Sequence, residues 1–189
     1  LDVNSKEFEL YQKKIRNRDT DELPTDLETV EHYRRWAALK MGYNRIVCAT
    51  VGKVVNDILY LRSFFGTEEE ILKNLFGKFQ SSKYLSGFNI RDFDGAMSRV
   101  NSLRYGDLAL SIPEPFNDSL KKSWNLDKII ELMDAFKGSH WSNCSLDEVC
   151  YHLGVDSPKD GEVEGSQVSE VFYRDGVSAI EKYCKKSNR

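Results

Sequence analysis

Two short apolar segments joined by a polar turn constrain the fold of this chain most strongly. Residues 46–52 are apolar and rich in β-branched side chains, and residues 58–65 form a second apolar segment. Between them lie Asn56 and Asp57, which favour a tight turn. The pattern predicts a β-hairpin whose first strand is a buried central strand of a larger sheet.

Helical patterns precede and follow the hairpin. Residues 25–41 have apolar positions at helical spacing, with Thr25 or Asp26 as N-cap and Glu28 as the capping-box partner. A third strand is predicted at 83–89. Further helices are predicted at 67–79, 93–104, 128–136, 145–153 and 168–186, the last with a break at Gly176. Strands mixed with helices in a chain of 189 residues predict a single α/β or α+β domain, 1–189, with a mixed sheet.

Composition argues against several classes of protein. The 27 Lys and Arg against 30 Asp and Glu give a net charge of −3, which argues against polybasic binding of nucleic acid. No apolar run approaches the roughly 20 residues of a membrane helix, so no membrane partner is expected. Cysteines stand at 48, 144, 150 and 184 without CxxC spacing, which predicts reduced, mostly buried thiols in a cytoplasmic or other reducing compartment. Because the first residue is Leu1, we expect a trimmed N-terminus.

Three polar segments are candidates for chemistry. Asp2 lies at the start of the chain, Asn89 and Asp94 follow the third predicted strand, and Tyr183 lies in the last predicted helix. Taken singly, such residues most often serve as caps, turn residues or core residues. Their order along the chain, together with the segments around them, is more informative than any one of them.

In the order of these residues and in the segments around them, the sequence resembles the DEDD superfamily of 3'–5' exonucleases. The resemblance is strongest to the branch related to the exonuclease domain of family B DNA polymerases. The resemblance covers almost the whole chain and implies a ribonuclease H-like mixed sheet flanked by helices. The matching segments are 21–24, 87–89, 93–94, 125–127, 145–147, 153–155, 157–160, 165–168 and 180–184.

The resemblance implies two-metal chemistry, in which two Mg²⁺ or Mn²⁺ ions bind one phosphodiester and activate a water. In the family four carboxylates hold these ions: a D-x-E first motif, a second Asp, and a Y-x-x-x-D third motif. By this resemblance Asp2 is the first Asp, and Asn4 replaces the Glu. Asp94 is the second-motif Asp, with Asn89 as its companion.

The third motif is also incomplete, because Tyr183 is present but Ser187 replaces the Asp, two residues before the chain ends. Two of the four carboxylates are therefore missing, and the C-terminal helix is expected to be short. Two divalent ions carry four positive charges, whereas Asp2 and Asp94 supply two negative charges. Any Mg²⁺ or Mn²⁺ is accordingly expected to bind weakly.

An alternative first motif is Asp26-Leu27-Glu28, which would restore the missing Glu. The polar residues that precede it do not form a buried strand, and a capping box explains both acidic residues without metal. For nucleic-acid binding, the candidates are Phe88 as a base-stacking residue and Lys159 as a phosphate contact.

The sequence therefore predicts an exonuclease-like domain of nucleic-acid metabolism that is catalytically impaired. It would act by binding a single-stranded 3' end or a protein partner. Two alternatives stay open: an active metal-dependent 3'–5' exonuclease on DNA, and a purely structural subunit of a larger assembly.

Overall fold

A computed structural model describes residues 2–17, 19–113, 128–137, 144–157, 163 and 165–186. The chain divides into two compact units, Leu1–Asn44 and Arg45–Arg189. The organisation of the chain as one domain stays a prediction. None of the helices in the described ranges is long and apolar enough to cross a membrane.

The first unit contains two helices, α1 (Lys6–Lys14) and α2 (Asp26–Trp36), and a 3₁₀ turn follows at Ala37–Leu39. The predicted helix at 25–41 is confirmed in its start and ends earlier than expected. Thr25 and Glu28 form the predicted capping box, in which Glu28 accepts hydrogen bonds from the Thr25 N–H and hydroxyl, both at 2.8 Å. The local sequence alone determines where this helix begins.

A buried tyrosine forms the centre of the first unit. Tyr11 is 0 % exposed, and its ring makes edge-on contacts with the rings of Tyr33 and Tyr43 at centroid distances of 4.8 and 4.9 Å. Its hydroxyl lies 3.0 Å from Nδ1 of His32. Burial, and secondarily the charge of Lys40, lowers the pKa of His32.

Acidification is expected to destabilise the first unit through His32. Because the folded state lowers the pKa of this imidazole, the unfolded chain binds the proton more readily. This contribution to stability is fully present above the unfolded pKa of about 6.5 and is lost as pH falls below that value through the lower pKa of the folded state. Melting curves at pH 7.5 and 5.5 measure the effect, and His32→Gln is expected to reduce the drop in Tm. An identical drop in the variant would contradict this role for His32.

The second unit contains the predicted hairpin, formed by β1 (Ala49–Val55) and β2 (Ile58–Phe64). The strands pair antiparallel from Ala49↔Phe64 to Val55↔Ile58. The turn residues have φ angles of 51° and 61°, a left-handed conformation that Asn and Asp tolerate. The hairpin prediction is confirmed in its pairing and its turn.

The prediction that the first strand is buried and central is wrong. β1 begins at Ala49 instead of Ile46, and its last four residues are exposed. The preceding segment makes a different contact, since the N–H of Ile46 donates to the side chain of Glu68 at 2.8 Å. Within the described residues the hairpin is a two-stranded sheet, so neither strand is central.

The core of the second unit is built around α3 (Glu68–Gln80), which begins with a capping box between Thr67 and Glu70. The helix predicted at 67–79 is confirmed. Leu72 and Phe76 pack with Leu108, which lies on α5 (Asp107–Leu110). The buried residues of α3 are Glu68, Ile71, Leu72, Leu75 and Phe76.

A second sheet pairs β3 (Leu85–Gly87) with β4 (Ile129–Glu131) in parallel. The prediction of one helix over 128–136 is wrong in its first part, because only α6 (Leu132–Phe136) is helical. Ile129 and Glu131 are buried while Ile130 is 52 % exposed, an alternation that fits a strand better than a helix. The predicted strand at 83–89 is confirmed but shorter.

The other helices largely follow the sequence patterns. The remaining helices are α4 (Ala96–Ser102), α7 (Leu146–Leu153), α8 (Val168–Asp175) and α9 (Val177–Lys186). Gly154, with a φ of 66°, ends the helix predicted at 145–153, and Gly176 separates α8 from α9. A π-helical turn at Ile90–Gly95 precedes α4, where the sequence predicted an α-helix from residue 93. Helices mixed with short strands agree with the α/β class.

The cysteines differ from the prediction of mostly buried thiols. None of the four, all of which lie in the described part of the chain, is in a disulfide, and only Cys150 is buried, whereas Cys48, Cys144 and Cys184 are half-buried. Cys48 precedes the partly exposed strand β1, and Cys184 lies on α9, which packs against the hairpin. Their position beside a two-stranded sheet explains why neither thiol is fully enclosed.

Candidate functional site

The segment that follows β3 carries the second-motif candidates. Asn89 has a left-handed φ of 60°, and the π-helical turn begins at the next residue and carries Asp94 in its last part. Gly87 permits the close approach of this turn, because a Cβ there would lie 2.9 Å from Cβ of Ile90. Asn89 and Asp94 therefore belong to one compact tip, and Phe88 is half-buried beside it.

A buried carboxylate holds this tip in place. Glu131, at the end of β4, is 7 % exposed and accepts hydrogen bonds from the N–H of Asn89 at 2.5 Å and of Arg91 at 3.1 Å. It also accepts from the N–H of Met133 at 3.2 Å and so caps α6. Three backbone donors on one carboxylate compensate the cost of burying it.

Glu131 is the site residue that sequence reasoning missed. Its parallel partner strand lies more than 40 residues earlier in the chain, so no local pattern reveals the contact. One signal was present: an acidic residue ends the apolar segment Ile129–Ile130 immediately before a helix, the position of an N-cap.

The carboxyl of Asp94 is a weaker acid than usual. Desolvation by the surrounding protein is the main cause, the charge of Glu131 adds to it and the residue's own backbone N–H opposes it, and together they raise the pKa of Asp94 to about 6. The residue as a whole is exposed, so the group can exchange protons with solvent. Because a pKa of about 6 lies below neutral pH, most Asp94 carboxyls are ionised at pH 7. A bound cation would lower this pKa.

Arg91 engages two other carboxylates beside the tip. Its guanidinium lies 3.3 Å from Oδ1 of Asp92 and 3.1 Å from Oδ2 of Asp134. Asp134 also lies 3.8 Å from Nζ of Lys137. These ion pairs compete with any metal ion for Asp92 and Asp134.

The first-motif candidates lie in the first unit. Asp2 is exposed, and its Oδ1 accepts from the N–H of Asn4 at 3.0 Å, just before α1. The alternative motif lies at the start of α2, where Oδ1 of Asp26 is 3.3 Å from Nε2 of Gln12. No strand leads into Asp26 in this part of the structure, and the capping box of Glu28 lowers the pKa of that carboxyl.

That Asp2 and Asp94 hold the same metal ions, as the family resemblance implies, stays a prediction, because the two residues belong to different units. Tyr183 is half-buried on α9, and a Cβ at Gly165 would lie 3.3 Å from its hydroxyl. Ser187, Lys159 and the matching segment 125–127 lie outside the described residues.

The comparison with protein families decides the identity of the domain. A family model described as a predicted 3'–5' exonuclease related to the exonuclease domain of PolB matches residues 37–187. The chain belongs to this family. The matched part of this PolB-related exonuclease domain contains Asn89, Asp94 and Tyr183, whereas Asp2 and Asn4 lie before it. No curated protein and no solved structure matches the chain.

Exonucleases generally use divalent metals, and the described residues fit a two-ion centre poorly. Within the described ranges, no group of three His, Cys, Asp or Glu side chains is placed to hold a metal ion. Asp94 offers a carboxylate, but that of its neighbour Glu131 is occupied by backbone N–H groups. Within the described residues, the carboxylate of Asp94 is therefore the oxygen donor of this tip that a hard cation could contact.

Proposed function

We propose that this PolB-related exonuclease domain is catalytically impaired and binds single-stranded 3' ends of nucleic acid without cutting them efficiently. The observation that carries the proposal is the charge available to metal ions. Asp94 is the second-motif carboxylate, Glu131 beside it is engaged by backbone donors, and Asn4 and Ser187 are neutral in the positions assigned by family resemblance.

The missing charge affects hydrolysis more than binding. Two-metal hydrolysis requires ions that lower the pKa of the attacking water and stabilise the leaving 3' oxygen. Replacing two carboxylates by Asn and Ser removes half of the negative charge that would hold these ions. Base stacking and contacts to the sugar–phosphate backbone do not depend on that charge, so binding persists when hydrolysis is lost.

We propose a ribonuclease H-like architecture for the same domain. Such a mixed sheet contains antiparallel and parallel pairs, and the second unit has one of each: β1 with β2, and β3 with β4. Helices lie between these strands along the chain, as in an α/β fold. The family match over 37–187 supports this assignment.

The region before β3 offers a surface suited to single-stranded nucleic acid. Tyr84 is 54 % exposed, and Nζ of Lys83 lies 5.2 Å from the centre of its ring. Exposed aromatic rings stack with bases of any sequence, and a neighbouring cation attracts the phosphate backbone. Phe88 lies farther along the same segment, next to the tip that carries Asp94.

Fluorescence anisotropy with a labelled single strand tests the binding proposal. EDTA in the buffer removes any hydrolysis, and a blunt duplex of equal length is the comparison ligand. We expect the single strand to bind more tightly, and Tyr84→Ala to weaken binding by roughly tenfold, the usual effect of losing one stacked base. Tyr173→Ala, which removes a ring that is 84 % exposed on α8, is the matched control. Equal, weak binding of both ligands would contradict the proposal.

A second candidate, a structural subunit of an assembly, is favoured by the exposed apolar end of the hairpin. Val55, Ile58 and Tyr60 lie on one face of the hairpin, because Val55 pairs with Ile58 and side chains alternate along a strand, and they are 40, 55 and 56 % exposed. Contiguous exposed apolar groups are typical of surfaces that another protein covers. If the domain is such a subunit, the parent protein should fail to bind nucleic acid and should have the mass of a dimer of identical chains in light scattering. Ile58→Glu should then return the mass to that of a monomer.

A further inference from the structure

Two cysteines that are far apart in the sequence lie next to each other in the second unit. Cys48 directly precedes β1, and Cys184 lies on α9. Because α9 packs against both strands of the hairpin, it brings the two thiols into hydrogen-bonding contact. Both residues are half-buried, so small solutes can reach them.

The surroundings of the pair favour the thiolate on one sulfur. The hydrogen bond from the Cys184 thiol is the main cause that lowers the pKa of Cys48. Burial and the charge of Glu181 oppose this shift, and smaller effects of Thr50 and Lys185 support it. The same contact raises the pKa of Cys184, which keeps its proton. Two charged groups also face the pair, Glu181 and Lys185, and they are paired with each other at 2.7 Å. Cys48 is therefore the nucleophile and Cys184 the resolving thiol.

We propose that Cys48 and Cys184 form a redox modification site, which a hydroperoxide converts into a disulfide. The proposal rests on the contact between the two thiols and does not depend on the proposed binding of nucleic acid. It assigns the role of nucleophile to Cys48 and that of resolving thiol to Cys184, a difference that the sequence alone does not indicate.

The reaction balances in two steps. The Cys48 thiolate attacks one oxygen of hydrogen peroxide, the O–O bond breaks, and the leaving hydroxide takes a proton to form water, which leaves Cys48 as a sulfenic acid. The Cys184 sulfur, on losing its proton, attacks the Cys48 sulfur. The S–S bond forms, the S–O bond breaks, and the released hydroxide takes the Cys184 proton to form a second water. Two thiols are oxidised and one peroxide is reduced.

The disulfide would join the last helix to the first strand of the hairpin. It closes a loop that extends from residue 48 to residue 184, and a cross-link over so long a loop strongly restricts the unfolded chain. Oxidation is therefore expected to raise the Tm by roughly 10 °C, reversibly. The neighbouring Tyr183 shares the tethered helix.

Intact-mass measurements of the full chain after treatment with stoichiometric hydrogen peroxide test the proposal. We expect a loss of about 2 Da that dithiothreitol reverses, and peptide mapping that joins the peptides of Cys48 and Cys184. Cys144→Ser and Cys150→Ser are the controls and should behave as the parent. In Cys184→Ser, Cys48 should stop as a sulfenic acid that dimedone traps, whereas in Cys48→Ser trapping should fall at least tenfold.

Three results would overturn the proposal: oxidation of the parent that joins other cysteines, oxidation that yields sulfinic acid without a disulfide, or no oxidation at Cys48. The peptide map of the parent does not require a variant to fold, so it decides the matter even where a serine substitution is destabilising. The Tm of the oxidised parent provides an independent measurement.

Discussion

Replacing Glu68 by alanine is expected to destabilise the second unit by about 3–5 kcal/mol, the cost of disrupting a buried charged network. The Glu68 carboxylate is buried and accepts hydrogen bonds from the Ile46 N–H at 2.8 Å and the Asn101 amide at 2.9 Å. It also accepts from the Tyr105 hydroxyl at 2.6 Å and the Arg104 guanidinium at 3.3 Å. The Glu68 side chain thus connects the residues before β1, the start of α3, the end of α4 and the segment that follows α4.

Removal of this carboxylate takes the acceptor away from several donors near the core, among them the guanidinium of Arg104. Glu68→Gln keeps one carbonyl oxygen and is expected to cost less than Glu68→Ala. The matched control is Glu69→Ala, since Glu69 is exposed and pairs only at the surface with Lys73. That change is expected to cost less than about 1 kcal/mol. Urea unfolding measures all three, and equal effects of Glu68→Ala and Glu69→Ala would contradict the account.

Restoring the two missing carboxylates is the second large expected effect. In the double variant Asn4→Glu with Ser187→Asp, Mn²⁺ at about 100 times its dissociation constant should stabilise the fold by about 2.7 kcal/mol. The reason is that, by the family resemblance, positions 4 and 187 belong to the set of four carboxylates that holds the ions, so the double variant regains two negative charges of that set. In such a set like charges repel one another, so without metal the variant should melt below the parent.

The controls for this prediction separate a metal site from a general effect of charge. Each single change should give less than half of the Mn²⁺-dependent shift, since groups that act as a unit are not additive. Asn74→Glu adds a carboxylate on the exposed surface of α3 and should give none. Equal Mn²⁺ shifts in the parent and the double variant would mean that positions 4 and 187 do not contribute to a metal site.

Local signals in the sequence predicted the local structure well. Capping boxes at Thr25, Thr67 and Ser145 mark helix starts, since their hydrogen bonds form within one turn of the chain. The left-handed residues Asn56 and Asp57 mark the hairpin for the same reason.

Features that depend on distant contacts were not predictable from local patterns. β4 has an apolar sequence that suits a helix equally well, and only its parallel pairing with β3 makes it a strand. Glu131 and Glu68 look like ordinary surface acids until the fold surrounds them with backbone and side-chain donors. The candidate site follows the same rule: Asn89 and Asp94 are neighbours because one segment carries both, whereas the position of Asp2 relative to them depends on the arrangement of two units.

The most direct test of the central claim is the release of nucleotides from a single-stranded 3' end in the presence of Mn²⁺, measured for the parent protein and for Asp94→Ala. If the domain is impaired because its carboxylates are incomplete, both proteins should release little or no nucleotide above a sample without protein. Rapid release by the parent, abolished by Asp94→Ala, would contradict the claim and establish an active metal-dependent exonuclease.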